Sequence, residues 1–274
     1  MTSRGFLERI VAQRREQVAR ERAACDWEVL GREAELVREG KPRHRFHAAF
    51  RTDRRVHIIA EFKRASPSRG LLRADANAAA FALLYESAGA CAVSVLTEPD
   101  FFRGSLGDLH AVRSATALPV LRKDFVIDTY QITQTAAAGA DAILLIAAAL
   151  NDDELPRFRA YAEDDLGLDA LVEVHTVREL QRALACAATL IGVNNRDLRT
   201  FQTTLATSHQ LAALVPPGVT LISESGISSR AEIERLLECG YRGFLVGEAL
   251  MRDVDPAAAL RSLGANRSGE MHHA

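Results

Sequence analysis

Paired cysteines are missing from this chain of 274 residues. Its four cysteines, Cys25, Cys91, Cys186 and Cys239, are scattered and form no Cys-x-x-Cys pair. That spacing sets aside a disulfide framework or a zinc site and points to reduced thiols. Cys91 and Cys186 lie in Ala-rich apolar stretches and read as small core residues. An excess of charge is also missing: 34 Lys and Arg face 36 Asp and Glu, a formal net charge of −2. Nucleic acid is therefore not expected as a bulk partner. The first residues, Met1 to Arg9, lack the apolar core of a signal peptide. The most apolar run, 142–150, is too short to span a bilayer. No membrane partner and a cytoplasmic location follow as expectations. No low-complexity linker interrupts the chain, so one domain is expected over 1–274.

What the chain does have is a rhythm. Apolar, β-branched runs at 58–63, 92–98, 119–124, 142–147, 169–175, 190–195, 220–225 and 243–247 read as strands. Helical patterns alternate with them at about 75–88, 105–116, 129–138, 152–166, 177–187, 205–214, 228–239 and 248–263. Eight strand–helix units predict an α/β fold, a (β/α)₈ barrel. A doubly wound open sheet is the main rival, but eight units without a long crossover favour closure. Gly89, Gly139, Gly167 and Gly240 fall near helix ends, where a left-handed cap suits glycine. Ahead of the first strand, 3–24 and 27–38 read as helices of an N-terminal extension over 1–48. Phe6, Leu7, Ile10, Val11 and Val18 make the apolar face of the first. His44 and His47 form a His-x-x-His pair, but no further ligands stand nearby, and a structural metal wants four. A flexible polar tail is expected from about 264 to 274.

In such a barrel, chemistry sits at the carboxyl ends of the strands. Polar residues gather there: Glu61 and Lys63, Thr97 and Glu98, Lys123 and Asp124, Glu173 and His175, then Asn194 to Asp197, Ser223 to Gly226, Gly247 and Glu248. The strand starts read as apolar by contrast. Strand alternation predicts that Glu61 and Lys63 share a face, as do Asn194 and Arg196, and Ser223 and Ser225. Lys123 is either a rim lysine paired with Asp124 or a functional lysine with a shifted pKa. Glu173, inside the apolar run 170–174, wants a partner or a role. Asp124 and Asp197 read as residues that orient neighbours or meet outer helices. Gly226 and Gly247, in the loops after the seventh and eighth strands, suggest a backbone cradle for an anion.

These residues carry a resemblance. The run Glu61-Phe62-Lys63-Arg64-Ala65-Ser66-Pro67-Ser68 resembles the signature of the indole-3-glycerol phosphate synthases. Supporting stretches lie at 94–98 with 102–105, 121–125, 171–175, 191–198, 223–227 and 244–251. The resemblance implies a small anthranilate-derived ribulose phosphate as substrate and a ring closure that releases carbon dioxide and water. It implies neither metal nor organic cofactor. By the same resemblance Lys123 is the general acid, and Glu173 and Glu61 move later protons. Lys63 meets the anthranilate carboxylate, and Phe102 and Phe125 pack on the aromatic ring. Asn194 and Arg196 orient the sugar, and Ser66 and Glu224 line the substrate site. Ser225, Gly226, Gly247 and the Glu248 amide hold the phosphate, with Ser225 also counted in the catalytic set. The chain is expected to be a monomer or a weak homodimer.

Overall fold

The structure, a computed structural model, describes residues 5–52 and 56–264. Eight parallel strands close on themselves: β1 (His57–Phe62), β4 (Ala92–Leu96), β5 (Val120–Lys123), β6 (Ala142–Ile146), β7 (Asp169–Val174), β8 (Leu190–Asn194), β9 (Thr220–Glu224) and β10 (Gly243–Val246). The closed order is β1-β10-β9-β8-β7-β6-β5-β4, so the barrel reading holds and the open sheet does not. Between the strands lie α4 (Ala78–Ser87), α5 (Leu106–Ala115), α6 (Thr129–Ala137), α7 (Glu154–Ala160), α8 (Val177–Ala185), α9 (Ala206–Ala212) and α10 (Arg230–Glu238). Side-chain caps start several of them. Asn77, Ser105, Asp128, Thr176 and Ser229 each accept a backbone N–H of the first turn. The four helix-end glycines all adopt positive φ, between 63° and 93°.

Two features were not anticipated. A two-strand hairpin, β2 (Ala65–Ser66) with β3 (Gly70–Leu71), follows β1 and folds over the strand ends. The last helical stretch is broken into α11 (Glu248–Arg252) and α12 (Pro256–Gly264), because proline lacks an N–H and suits only the first turn of a new helix. The polar tail falls outside the described residues apart from Gly264.

The N-terminal extension is a strap rather than a cap. α1 (Phe6–Ala23) lies against the carboxyl-end loops: Gln13 donates to Asp100, Arg14 to Asp124 and Arg22 to Asp128. α2 (Trp27–Arg38) runs down α6, and Arg38 donates to the carbonyls of Leu166 and Gly167. α3 (Arg45–Ala48) and a 3-10 turn (Ala49–Arg51) then close the opposite end, where Phe46 and Phe50 pack with Ile59 and Ile222.

That closed end corrects the expectation of apolar strand starts. Asp141 and Asp169 stand there fully buried. Asp141 accepts from Arg45, Arg113 and the Val120 N–H. Asp169 accepts from the His47 N–H at 2.9 Å and bonds the His44 ring, while the His47 ring bonds Thr220. His44 and His47 thus join the strap to the barrel floor. Single acids at strand starts look like exposed ends in a sequence; here they serve as anchors for a segment folded back from the N-terminus.

Asp124 serves the same purpose at the top. It takes a two-pronged bond from Arg14 (2.8 and 3.1 Å), plus Thr97 (2.6 Å) and Arg122 (3.0 Å). Arg122 has no solvent exposure at all. Removing one partner of a buried pair leaves the other charge uncompensated, which typically costs about 3–5 kcal/mol. Asp124→Ala is therefore expected to lower unfolding free energy by roughly that amount, measured by urea denaturation; a loss below about 1 kcal/mol would mean that Arg122 finds water or another partner.

Candidate active site

Inside the barrel, side chains alternate between core and helices. The inward set builds layers of four from alternate strands, the packing expected of this fold. Ile59, Leu121, Leu171 and Ile222 form one apolar layer, from β1, β5, β7 and β9. Two residues further along the same strands stand Glu61, Lys123, Glu173 and Glu224. The next layer up comes from β4, β6, β8 and β10: Leu96, Ile146, Asn194 and Gly247. One complete layer of the barrel is thus charged.

Lys123 is the hub of that layer. Its Nζ donates to Glu224 Oε2 at 2.8 Å and to Glu173 Oε2 at 3.1 Å. Burial pulls a lysine toward neutrality, but Glu173, Glu224 and Glu61 outweigh it and hold the ammonium well above the ordinary lysine value. Each contact is worth about 5 kcal/mol at an effective dielectric of ~20, enough for two to offset a desolvation cost of several kcal/mol. The alternative pairing with Asp124 does not occur; Asp124 belongs to the Arg14 cluster. Lys63 pairs with Glu61, confirming that these two share a face.

The two other carboxylates diverge. Burial raises Glu173, but Lys123 and His175 prevail and hold it below the usual carboxylate range. Glu224 is pushed up to about 7, first by burial and then by the neighbouring charges of Glu173 and Glu61, against the pull of Lys123. Its Oε1 is buried with no hydrogen-bond partner among the described residues. Two glycines make room for these acids. A Cβ on Gly192 would lie 2.0 Å from Glu224 Oε1, and one on Gly247 2.1 Å from Glu61 Oε1.

Above the charged layer opens a cavity of about 570 Å³. Every residue to which the resemblance gives a site role lines it: Glu61, Lys63, Ser66, Phe102, Lys123, Phe125, Glu173, Asn194, Arg196, Glu224, Ser225, Gly226, Gly247 and Glu248. Glu98 explains how Phe102 arrives there. Its carboxylate accepts the N–H groups of Asp100, Phe101 and Phe102 and bends the loop inward. The rings of Phe102 and Phe125 stand 6.3 Å apart, tilted by 40°. Across the mouth, Arg196 donates to Ser68 (2.7 Å) and to Glu248 (3.0 Å), and Arg69 donates to Glu248 (2.8 Å). These bonds tie the hairpin to the far rim.

One pairing expected from alternation fails. Ser223 points outward, bonded to Asn195 and Ser208, while Ser225 reaches the cavity. β9 ends at Glu224, and Ser225 takes a left-handed backbone, φ 65°, which breaks the period of two. The inward residue of β9 is Glu224, whose bond to Lys123 was not foreseen. Phe6 and Phe201 were missed as lining residues; they touch edge to face, 4.7 Å between centroids. Phe6 carried a signal, as an aromatic on the apolar face of α1, but nothing local told which end of the barrel that face covers.

A family model described as indole-3-glycerol phosphate synthase matches residues 7–263. The chain belongs to the indole-3-glycerol phosphate synthase family. A synthase of that name from Carboxydothermus hydrogenoformans is 45% identical over 262 residues, covering 94% of this chain and 99% of the relative. One from Syntrophobacter fumaroxidans is 50% identical over 210 residues, covering 77% and 79%. Among solved structures, a KGPDC from Streptococcus mutans superposes with a TM-score of 0.61 at 16% identity, over 77% of this chain and 96% of that one, a likeness of fold alone. Membership of the synthase family makes the chain a decarboxylating lyase of tryptophan biosynthesis. No helix among the described residues is long and apolar enough to cross a membrane.

The site generates a pH prediction. Glu224 has a folded pKa raised above that of the unfolded chain, so the folded state keeps a proton that the unfolded state has released. Unfolding free energy then falls as pH rises from the ordinary carboxylate range to about 7, by at most ~1.4 kcal/mol per unit from this one group. His175, also raised, acts in the same direction. Glu224→Gln is expected to flatten the slope between pH 5 and 7 in urea titrations, and an unchanged slope would assign it elsewhere.

Proposed function

We propose that the chain converts 1-(2-carboxyphenylamino)-1-deoxyribulose 5-phosphate to indole-3-glycerol phosphate, with Lys123 as the general acid. The observation that carries this reading is the charged layer itself: a protonated lysine, held between two buried carboxylates, at the floor of a cavity large enough for the substrate.

The substrate has a carboxylate at one end and a phosphate at the other. Lys63 lines this cavity together with the aromatic pair Phe102 and Phe125 and is assigned to the substrate carboxylate. The backbone at Ser225, Gly226, Gly247 and Glu248 lines the same cavity after β9 and β10 and would supply N–H groups for the phosphate. Asn194 and Arg196 line the cavity after β8 and suit the sugar hydroxyls. A molecule gripped at both ends is pressed with its ring carbon against the C2 carbonyl, an entropic advantage of several kcal/mol.

Ring closure then proceeds as the aromatic carbon attacks C2. Lys123 gives its proton to the C2 oxygen, so that no free alkoxide forms. The carboxylate leaves as carbon dioxide, and its bonding electrons restore the aromatic ring. Loss of the C2 hydroxyl as water, with a proton removed from the ring-closed intermediate, completes the indole. Glu173 and Glu61 are the carboxylates within reach of these later proton movements. Glu224, with a pKa of about 7, is suited to return a proton to Lys123 at 2.8 Å. A Schiff-base aldolase with Lys123 as its nucleophile fits poorly, because a lysine nucleophile must be neutral and these neighbours hold Lys123 charged.

Lys123→Ala is expected to lower kcat by about 10²–10⁴-fold with the fold retained, read by the fluorescence of the indole product and by circular dichroism. Turnover within a factor of about three of the parent would remove Lys123 from this role. Incubation with EDTA is expected to leave the rate unchanged; a loss restored by added metal ion would overturn the all-side-chain chemistry described here.

A further inference from the structure

We propose that His175 is a positioning residue for this reaction: clamped by Glu179, its imidazolium keeps Glu173 ionised and turned toward Lys123. The inference rests on the reading of Glu173 as a working carboxylate and adds the device that sets its charge.

The device is built at the junction of β7 and α8. Val174 ends the strand, His175 follows, and Thr176 caps the helix. Glu179, in the first turn, folds back on both. Its Oε2 accepts the His175 N–H at 2.7 Å, its Oε1 accepts the Thr176 hydroxyl at 3.0 Å, and the Thr176 hydroxyl accepts the Glu179 N–H. Capping of the helix by Thr176, with Glu179 folded back onto the residue before the cap, accounts for all of that. It does not account for the ring. His175 turns its imidazole inward, where its side chain is 11% exposed, with Nδ1 3.3 Å from Glu179 Oε2 and Nε2 3.5 Å from Glu173 Oε1.

The two ends of that ring constrain each other. With its proton on Nδ1, donated to Glu179, a neutral imidazole would present the Nε2 lone pair to a carboxylate. A second proton on Nε2 converts that repulsion into attraction. The groups that face the ring are Glu173 from β7, Glu179 from α8 and Glu224 from β9, with Lys123 of β5 beyond Glu173. Burial pulls the imidazole down, but the bond to Glu179 and the three acids prevail and hold it above the ordinary histidine value. The two oxygens of Glu173 are thereby divided. Oε1 faces His175, and Oε2 accepts from Lys123 at 3.1 Å. A carboxylate held between two cations stays ionised in a buried layer and has one defined orientation.

The test compares His175→Gln, Glu179→Gln and Thr176→Ala with the parent enzyme. His175→Gln removes the cation, and Glu179→Gln removes the anion that retains it while keeping an acceptor for the backbone N–H. Both are expected to move the acidic limb of the kcat–pH profile upward by about one unit, and His175→Gln to lower kcat by about tenfold with KM within about twofold. Thr176→Ala breaks the helix cap and the hydroxyl's bond to Glu179 Oε1 but leaves the Oε2 contacts with His175, and is expected to lower stability without moving the limb. A second readout needs no turnover. The side-chain 15N resonances of His175 in the unliganded parent are expected to titrate above the ordinary imidazole range, and to titrate lower in Glu179→Gln. An acidic limb unmoved in His175→Gln, or an ordinary His175 titration in the parent, overturns the proposal. A parent enzyme that forms no indole product would instead fail the assigned reaction, and the 15N titration would still decide the state of His175.

Discussion

A lysine ammonium inside a protein needs counter-charge, and here that need organises one whole cross-section of the barrel. Lys123 is buried, so it must be surrounded. Three strands supply the surroundings: Glu61, Glu173 and Glu224 occupy the same layer on β1, β7 and β9. Three acids around one lysine would leave excess negative charge, and the structure relieves it in three different ways. Lys63 pairs with Glu61, His175 faces Glu173, and Glu224 rises to a pKa of about 7. Two residues earlier on the same four strands, Ile59, Leu121, Leu171 and Ile222 are all apolar, so on these strands packing and chemistry are separated by one step.

That step explains the placement of glycine. The layers alternate between odd and even strands, and the bulky carboxylates project toward the positions between them. Gly192 and Gly247 occupy those positions, with no room for a Cβ beside Glu224 or Glu61. Gly243 does the same for Phe50 at the floor, where a Cβ would lie 2.7 Å from the ring. In each case the small residue is dictated by a large neighbour on another element rather than by its own backbone angles.

Much of this was legible in the sequence because the barrel converts a period of two into a place. Once the eight runs are recognised, a polar residue at a run's end has only the mouth to go to, and Glu61, Lys63, Lys123, Glu173 and Asn194 all arrive there. Alternation misleads where a strand stops early. Ser223 and Ser225 look like a same-face pair, yet the left-handed turn at Ser225 sends them apart and gives the inward position to Glu224. Long-range pairings were also beyond local reading. Asp124 looks like the partner of Lys123 next to it, but the guanidinium that claims it comes from Arg14. Asp141 and Asp169 look like ordinary strand starts until the strap brings Arg45, His44 and His47 beneath them.

The strap sets an awkward order of events for a chain made from its N-terminus. α1 is synthesised first, but the carboxylate that receives Arg14 lies 110 residues downstream. Asp169, which receives α3, follows about as far behind its own partner, 122 residues after His47. Until those strands leave the ribosome, the seam formed by Ile10, Val11 and Val18 has no barrel to cover it. This helix thus waits at least until Asp124 has been made, and over that stretch of synthesis it is an exposed apolar surface of the kind that chaperones hold.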